Sequence, residues 1–101
     1  MHWLLFYEYV PDYLERRRAH RSAHFDHAKP YLDRGELILG GAFADPADGA
    51  VLLFSADGPE AAEGFAEDDP YVREGLVTDW RIREWTTVVG PDAASPVPGT
   101  G

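Results

Sequence analysis

Cysteine is absent from this 101-residue chain. A disulfide framework, a thiolate nucleophile and a cysteine-based metal site are therefore excluded. Basic residues are scarce: nine lysines and arginines stand against eighteen acids, for a net charge of −9. Apart from Arg16-Arg17-Arg18 they form no run, which argues against a nucleic-acid or anionic-membrane surface, since phosphates demand concentrated positive charge. The three arginines, with Asp12 and Glu15 nearby, read as a solvated helix face. Long apolar runs are missing too. A bilayer span needs about 20 apolar residues. The N-terminal run from Trp3 to Tyr7 is too short for a signal-peptide core, lacks a basic leader and is closed by Glu8. No glycine-rich nucleotide loop, nucleophilic serine motif or cofactor fingerprint occurs, and there is no repeat at solenoid spacing. The expectation is a cytoplasmic protein that works without a cofactor and binds neither nucleic acid nor membrane.

What is present is a 45% hydrophobic chain, enough for one domain burying roughly 65% of its unfolded surface. Residues 2–10 (HWLLFYEYV) are aromatic and branched, which predicts a central strand ending at Pro11. Helical spacing follows from Asp12 to Arg34, with Gly35 as the stop. Leu14, Arg21, Phe25, Ala28 and Leu32 share one stripe at about 100° per residue, and Pro30 is expected to bend or divide the helix. Residues 36–43 predict a second strand that loses regularity at Gly40-Gly41, and residues 50–55 a third, joined to it as an antiparallel hairpin. Pro59 begins a second helix that Pro70 ends. Residues 77–89 alternate, with Trp80, Ile82 and Glu84 on one side and Arg81, Arg83 and Trp85 on the other, as in a fourth strand.

The order βαββαβ predicts an α+β, ferredoxin-like fold: an antiparallel sheet with two helices on one face. The domain is expected over 1–90, and residues 91–101 (PDAASPVPGTG), without an apolar period, are expected to be a flexible tail. The helix-free face of so apolar a sheet predicts burial against a second copy, hence a homodimer.

The segments RSAHFDHAKPYLDRGELILGGAF and AEDDPYVREGLVTDWRIREW closely resemble the YCII-related family, through Arg-x-x-His on the helix and the later Asp-Pro-Tyr-Val-x-x-Gly. The resemblance extends from residue 2 to about 90. It implies a dimeric α/β-barrel assembly of ferredoxin-like subunits, with a pocket holding the helix histidine, His24, and the aspartate before the proline, Asp69. Activities proposed in the family concern small ring compounds, including dehydrochlorination of a hydroxyquinol. Fold kinship alone does not carry chemistry across.

The candidate site follows. His24 lies at the border of the apolar stripe, where an imidazole held by a carboxylate can take and return a proton. Its bland alternative is a bond to a backbone carbonyl. Asp69 would hold the imidazole tautomer; its bland alternative is a turn or cap role before Pro70. Arg21, three residues before His24, is placed to meet an anionic or phenolate oxygen, or else to pair with an acid. Tyr71 and Gly41 are candidates to line the pocket. His20 and His24 have i, i+4 spacing, but His20 and His27 are expected to face solvent and one helix offers an incomplete ligand set, so no metal is expected. The leading reading is a cofactor-independent acid/base enzyme acting on a small cyclic or aromatic oxygenated metabolite by isomerisation or elimination. The alternative is a noncatalytic ligand-binding or sensory module of the same fold.

Overall fold

The computed structural model describes residues 1–96. Four strands, β1 (His2–Tyr9), β2 (Leu37–Ala42), β3 (Gly49–Ser55) and β4 (Val77–Trp85), form one sheet in the order β2-β3-β1-β4, with every neighbouring pair antiparallel. Between β1 and β2 lie α1 (Tyr13–Arg16), a 3-10 turn (Arg17–Ala19) and α2 (Arg21–Asp33); between β3 and β4 lie α3 (Glu60–Asp68) and the single turn α4 (Pro70–Arg73). This is the ferredoxin-like α+β order read from the sequence.

Period-two alternation sorts the strands into two faces. Leu5 and Tyr7 of β1 stand opposite Leu52 and Ala50 of β3, and with Phe54 they are buried beneath Ala28 of α2 and Ala62, Phe65 and Ala66 of α3. Trp80 and Ile82 continue this face on β4, opposite Tyr7 and Leu5. Leu4, Phe6, Val51 and Leu53 point to the other face, which carries no helix. β1 needs apolar residues on both faces because it is central, which is why it reads as an unbroken apolar run.

Several boundaries differ from the sequence reading. The first helical region breaks at His20, whose φ of −121° and ψ of −2° separate the 3-10 turn from α2, and α2 runs through Pro30 to Asp33. Proline there forfeits one hydrogen bond, but it is exposed and its own carbonyl accepts from the Arg34 N–H at 3.0 Å, so the last turn closes. Gly35, at φ 74°, then supplies the left-handed residue that ends the helix. In β2 the register shifts between Leu37 and Leu39, leaving Ile38 as a bulge before the glycine pair. β4 ends at Trp85, four residues before the expected end at 89.

Of the expected tail, 97–101 lies outside the described residues. Within the described part, the Ala94 N–H donates to Thr87 Oγ1 at 2.8 Å and the Ser95 N–H to the Thr87 carbonyl at 3.0 Å. No helix among the described residues is long and apolar enough to cross a membrane.

Candidate functional site

Asp69 is the centre of the site. It separates α3 from α4 in an extended conformation, φ −63° and ψ 125°, with Pro70 at the first position of α4. Its carboxylate is fully buried and takes hydrogen bonds from three directions. The Tyr71 N–H donates to Oδ1 at 2.9 Å, which caps α4. His24 Nδ1 donates to the same oxygen at 2.8 Å, and the Tyr7 hydroxyl donates to Oδ2 at 2.8 Å. The cap role and the contact with histidine therefore coexist in one side chain. Burying a carboxylate is costly unless its lone pairs are occupied, and here three donors from β1, α2 and α4 occupy them.

The geometry also fixes the imidazole. With Nδ1 bonded to Asp69, the proton sits there and Nε2 is left without a partner among the described residues. The ring lies flat against Tyr71, centroids 3.9 Å apart and planes 3° from parallel, with Phe65 at its edge. An aromatic series continues outward: Tyr13 meets Tyr71 edge-on at 5.8 Å, and Tyr9 stacks on Tyr13 at 3.6 Å. Burial, followed by the charge of Asp69 and the hydrogen bond to it, pushes the Tyr7 hydroxyl well above the ordinary phenol range. Burial likewise raises Tyr9, with its hydroxyl contact to Tyr13 adding to the effect. Burial pushes Tyr71 up to about 12, against the opposing pull of Arg21 and Arg17. These phenols remain protonated donors at neutral pH.

His24 lines a cavity of about 420 Å³ between α2, the 3-10 turn, the start of α1, the end of β1 and the β2 edge. Arg21, Gly41 and Tyr71 line it with His24, so the sequence-selected residues around Asp69 converge on one space. Phe25 and Leu32 of the helical stripe are about half exposed because they overhang this cavity, and only Ala28 of the stripe is buried. A Cβ at Gly41 would meet nothing within 4 Å, whereas one at Gly40 would press on Leu52 at 3.2 Å. Among the described residues Arg21 forms no ion pair; its guanidinium lies 5.2 Å from the Phe25 ring centroid.

Two expectations change. His27 does not face solvent: its Nε2 donates to the Phe65 carbonyl at 2.9 Å and its ring packs 4.7 Å from that of Phe65. The triple arginine is not one solvated face, since Arg16 donates to the Glu74 carbonyl at 3.0 Å while Arg17 turns to the cavity. Tyr7, Tyr9, Tyr13 and Arg17 were not among the sequence candidates. A phenol on the core side of β1 was the available signal for Tyr7, because a buried tyrosine hydroxyl needs a partner.

The chain aligns over 97 residues with an uncharacterised protein of Haemophilus influenzae at 27% identity, spanning 87% of this chain and 99% of the relative. Its fold is similar to that of the 5-chloro-2-hydroxyhydroquinone dehydrochlorinase TftG of Burkholderia phenoliruptrix AC1100, solved with 2,5-dihydroxybenzoquinone: TM-score 0.72 at 21% identity, over 86% of this chain and 95% of that one. A NIPSNAP family protein of Agrobacterium tumefaciens shares the fold more distantly, with TM-score 0.55 at 12% identity over 92% of this chain and 95% of that one. The family model of the YCII-related domain matches residues 1–86, and the chain belongs to the YCII-related domain family.

Proposed function

We propose that this protein is a small cofactor-independent enzyme that moves a proton on a small cyclic or aromatic oxygenated metabolite, in an isomerisation or elimination. One observation carries the reading: the His24 Nδ1 bond to Asp69 leaves Nε2 as the free nitrogen of a residue that lines a cavity of about 420 Å³, within the size range of small-molecule sites. In this mechanism Nε2 accepts a proton from the substrate, Asp69 stabilises the imidazolium formed and holds its orientation, and the same nitrogen returns the proton or passes it to a leaving group. Tyr7 keeps the carboxylate in place from behind, through Oδ2. Arg21, Tyr71 and Gly41 contact the ring compound. The structural likeness to TftG, a dehydrochlorinase of a chlorinated hydroxyhydroquinone, supports a small-molecule enzyme on this fold. The unit at work is a homodimer paired through the helix-free sheet face, which is lined by Leu4, Phe6, Val51 and Leu53.

The test is turnover of hydroxylated ring compounds, beginning with 5-chloro-2-hydroxyhydroquinone and chloride release as the readout. Activity is expected in the native chain, with His24→Ala lower by about 10²–10⁴-fold. Stoichiometric binding of the same compounds without turnover would replace the enzyme reading with that of a binding module.

A further inference from the structure

The lining of the cavity has a charge balance opposite to that of the chain. Acids outnumber lysines and arginines eighteen to nine in the sequence, yet no aspartate or glutamate lines this cavity, and two arginines do. Arg17 comes from the 3-10 turn and Arg21 from the first turn of α2, i, i+4 in sequence. Three of the nine cations pair with acids among the described residues: Lys29 with Asp33, Arg34 with Glu36 and Arg73 with Asp68. Neither Arg17 nor Arg21 forms an ion pair among the described residues. Each lies instead over an aromatic face, Arg17 at 5.4 Å from the Tyr13 centroid and Arg21 at 5.2 Å from that of Phe25. Such contacts position a guanidinium without cancelling its charge, and its N–H groups stay available. Asp69, the acid nearest the cavity's histidine, is not a competitor, because Tyr7, Tyr71 and His24 already occupy both of its oxygens. Both arginines line the same cavity as Tyr71 and His24.

We infer that Arg17 and Arg21 together form a binding point for an anionic oxygen group, so that the pocket selects ring compounds carrying a negative charge over neutral ones of the same shape. This rests on the proposed small-molecule site and deepens it. The anion is held at the arginine rim, the ring occupies the apolar body beside Ile38 and Leu32, and the part of the ring remote from the anion meets His24. Charge-assisted bonds to two arginines, in a cavity that no aspartate or glutamate among the described residues lines, give orientation as well as affinity.

The experiment is calorimetric titration of the native chain with 2,5-dihydroxybenzoate and with its neutral amide, 2,5-dihydroxybenzamide. The carboxylate is expected to bind at least roughly tenfold more tightly. The Arg17→Gln/Arg21→Gln double variant should bind both probes alike, each single variant should lose part of the preference, and the double lysine variant should keep a preference. Equal binding of the two probes by the native chain overturns the inference, as does a preference that survives in the double glutamine variant or the absence of binding at millimolar probe. If the double glutamine variant fails to fold, as judged by circular dichroism, the two single variants decide: a preference undiminished in both overturns the inference. His24→Asn separates this inference from the catalytic reading, because it should keep the charge preference. A preference with no turnover of any ring compound would remove the enzyme reading and leave the anion site; His24-dependent turnover with no charge preference would do the reverse.

Discussion

Asp69 caps α4 and, in the proposed mechanism, steadies the His24 imidazole, and different substitutions separate the two roles. Asn keeps an oxygen able to accept from the Tyr71 N–H, so the α4 cap survives, whereas Ala removes the cap and leaves the Tyr7 hydroxyl and the His24 N–H unpaired in a buried setting. Asp69→Asn is therefore expected to stay folded and lose activity, and Asp69→Ala to lose about 3 kcal/mol or more of stability; urea midpoints and turnover, measured side by side, check both. An active Asn variant would take the carboxylate out of the mechanism. The tyrosines give a pH signature. In the unfolded chain they release their protons near the ordinary value of 10.0, but in the fold Tyr71 holds its proton to about 12 and Tyr7 is raised as well. The sign follows: stability is intact below pH 10.0 and is lost as pH rises from there toward about 12, since only the unfolded state gains from ionising. Urea denaturation across that interval should show the fall, and Tyr7→Phe should fall less steeply because it has one fewer raised phenol to titrate. His24 and Asp69 were legible in sequence from their family motif. Tyr7 was not, because what makes it part of the site is an Asp69 oxygen 62 residues away that only the packing of α3, and the junction after it, over β1 supplies.

Among the elements, the β2–β3 hairpin is the one whose spacing leaves least room. Gly49, the first residue of β3, stands opposite Glu8 and is buried, and a Cβ there would lie 2.5 Å from the Tyr7 carbonyl oxygen and 3.4 Å from the Phe43 ring. The obstacle is backbone, so β3 would have to move away from β1. Gly49→Ala is expected to cost about 1–3 kcal/mol, while Gly41→Ala, with open space at its Cβ, should cost no more than about 0.5 kcal/mol; thermal melts of the pair make the comparison. Equal costs would mean that the sheet absorbs a side chain at 49 without displacement. The sequence reading singled out Gly40-Gly41 as the point where the second strand loses regularity and gave Gly49 no such role, because adjacency of glycines is visible in one dimension and the proximity of a neighbouring strand's carbonyl is not. The same limit explains the misplaced helix break. Pro30 announces a lost hydrogen bond, but whether a helix ends there depends on how its last carbonyls are met, and the break at His20 has no proline or glycine to mark it. Strand order, by contrast, was readable because alternation of apolar residues and short turns leaves few ways to arrange four strands and two helical segments.

At the scale of the whole molecule, the sheet is finished on one side only. Its helix face is packed, while the other carries Leu4, Phe6, Val51 and Leu53, with Leu39, Phe43 and Trp85 standing exposed around them. Seven large apolar residues on one face of an 11.2 kDa chain are hard to reconcile with an isolated monomer. Their position also links assembly to the site: Leu39, Gly40, Gly41 and Ala42 of β2 border both this face and the cavity that His24 lines. A copy packed on the open face would hold the β2 edge, and with it one wall of the cavity, in a single arrangement. Sedimentation equilibrium is therefore expected to give twice the chain mass. Leu53→Asp places a carboxylate opposite Leu4 and Leu39 at the middle of the apolar face, so it should yield the monomer mass and a melting temperature that no longer rises with protein concentration. It should also weaken ligand binding, although Leu53 does not line the cavity. A native chain that sediments as a monomer would remove the pairing, and the β2 wall would then have to be held by β3 alone.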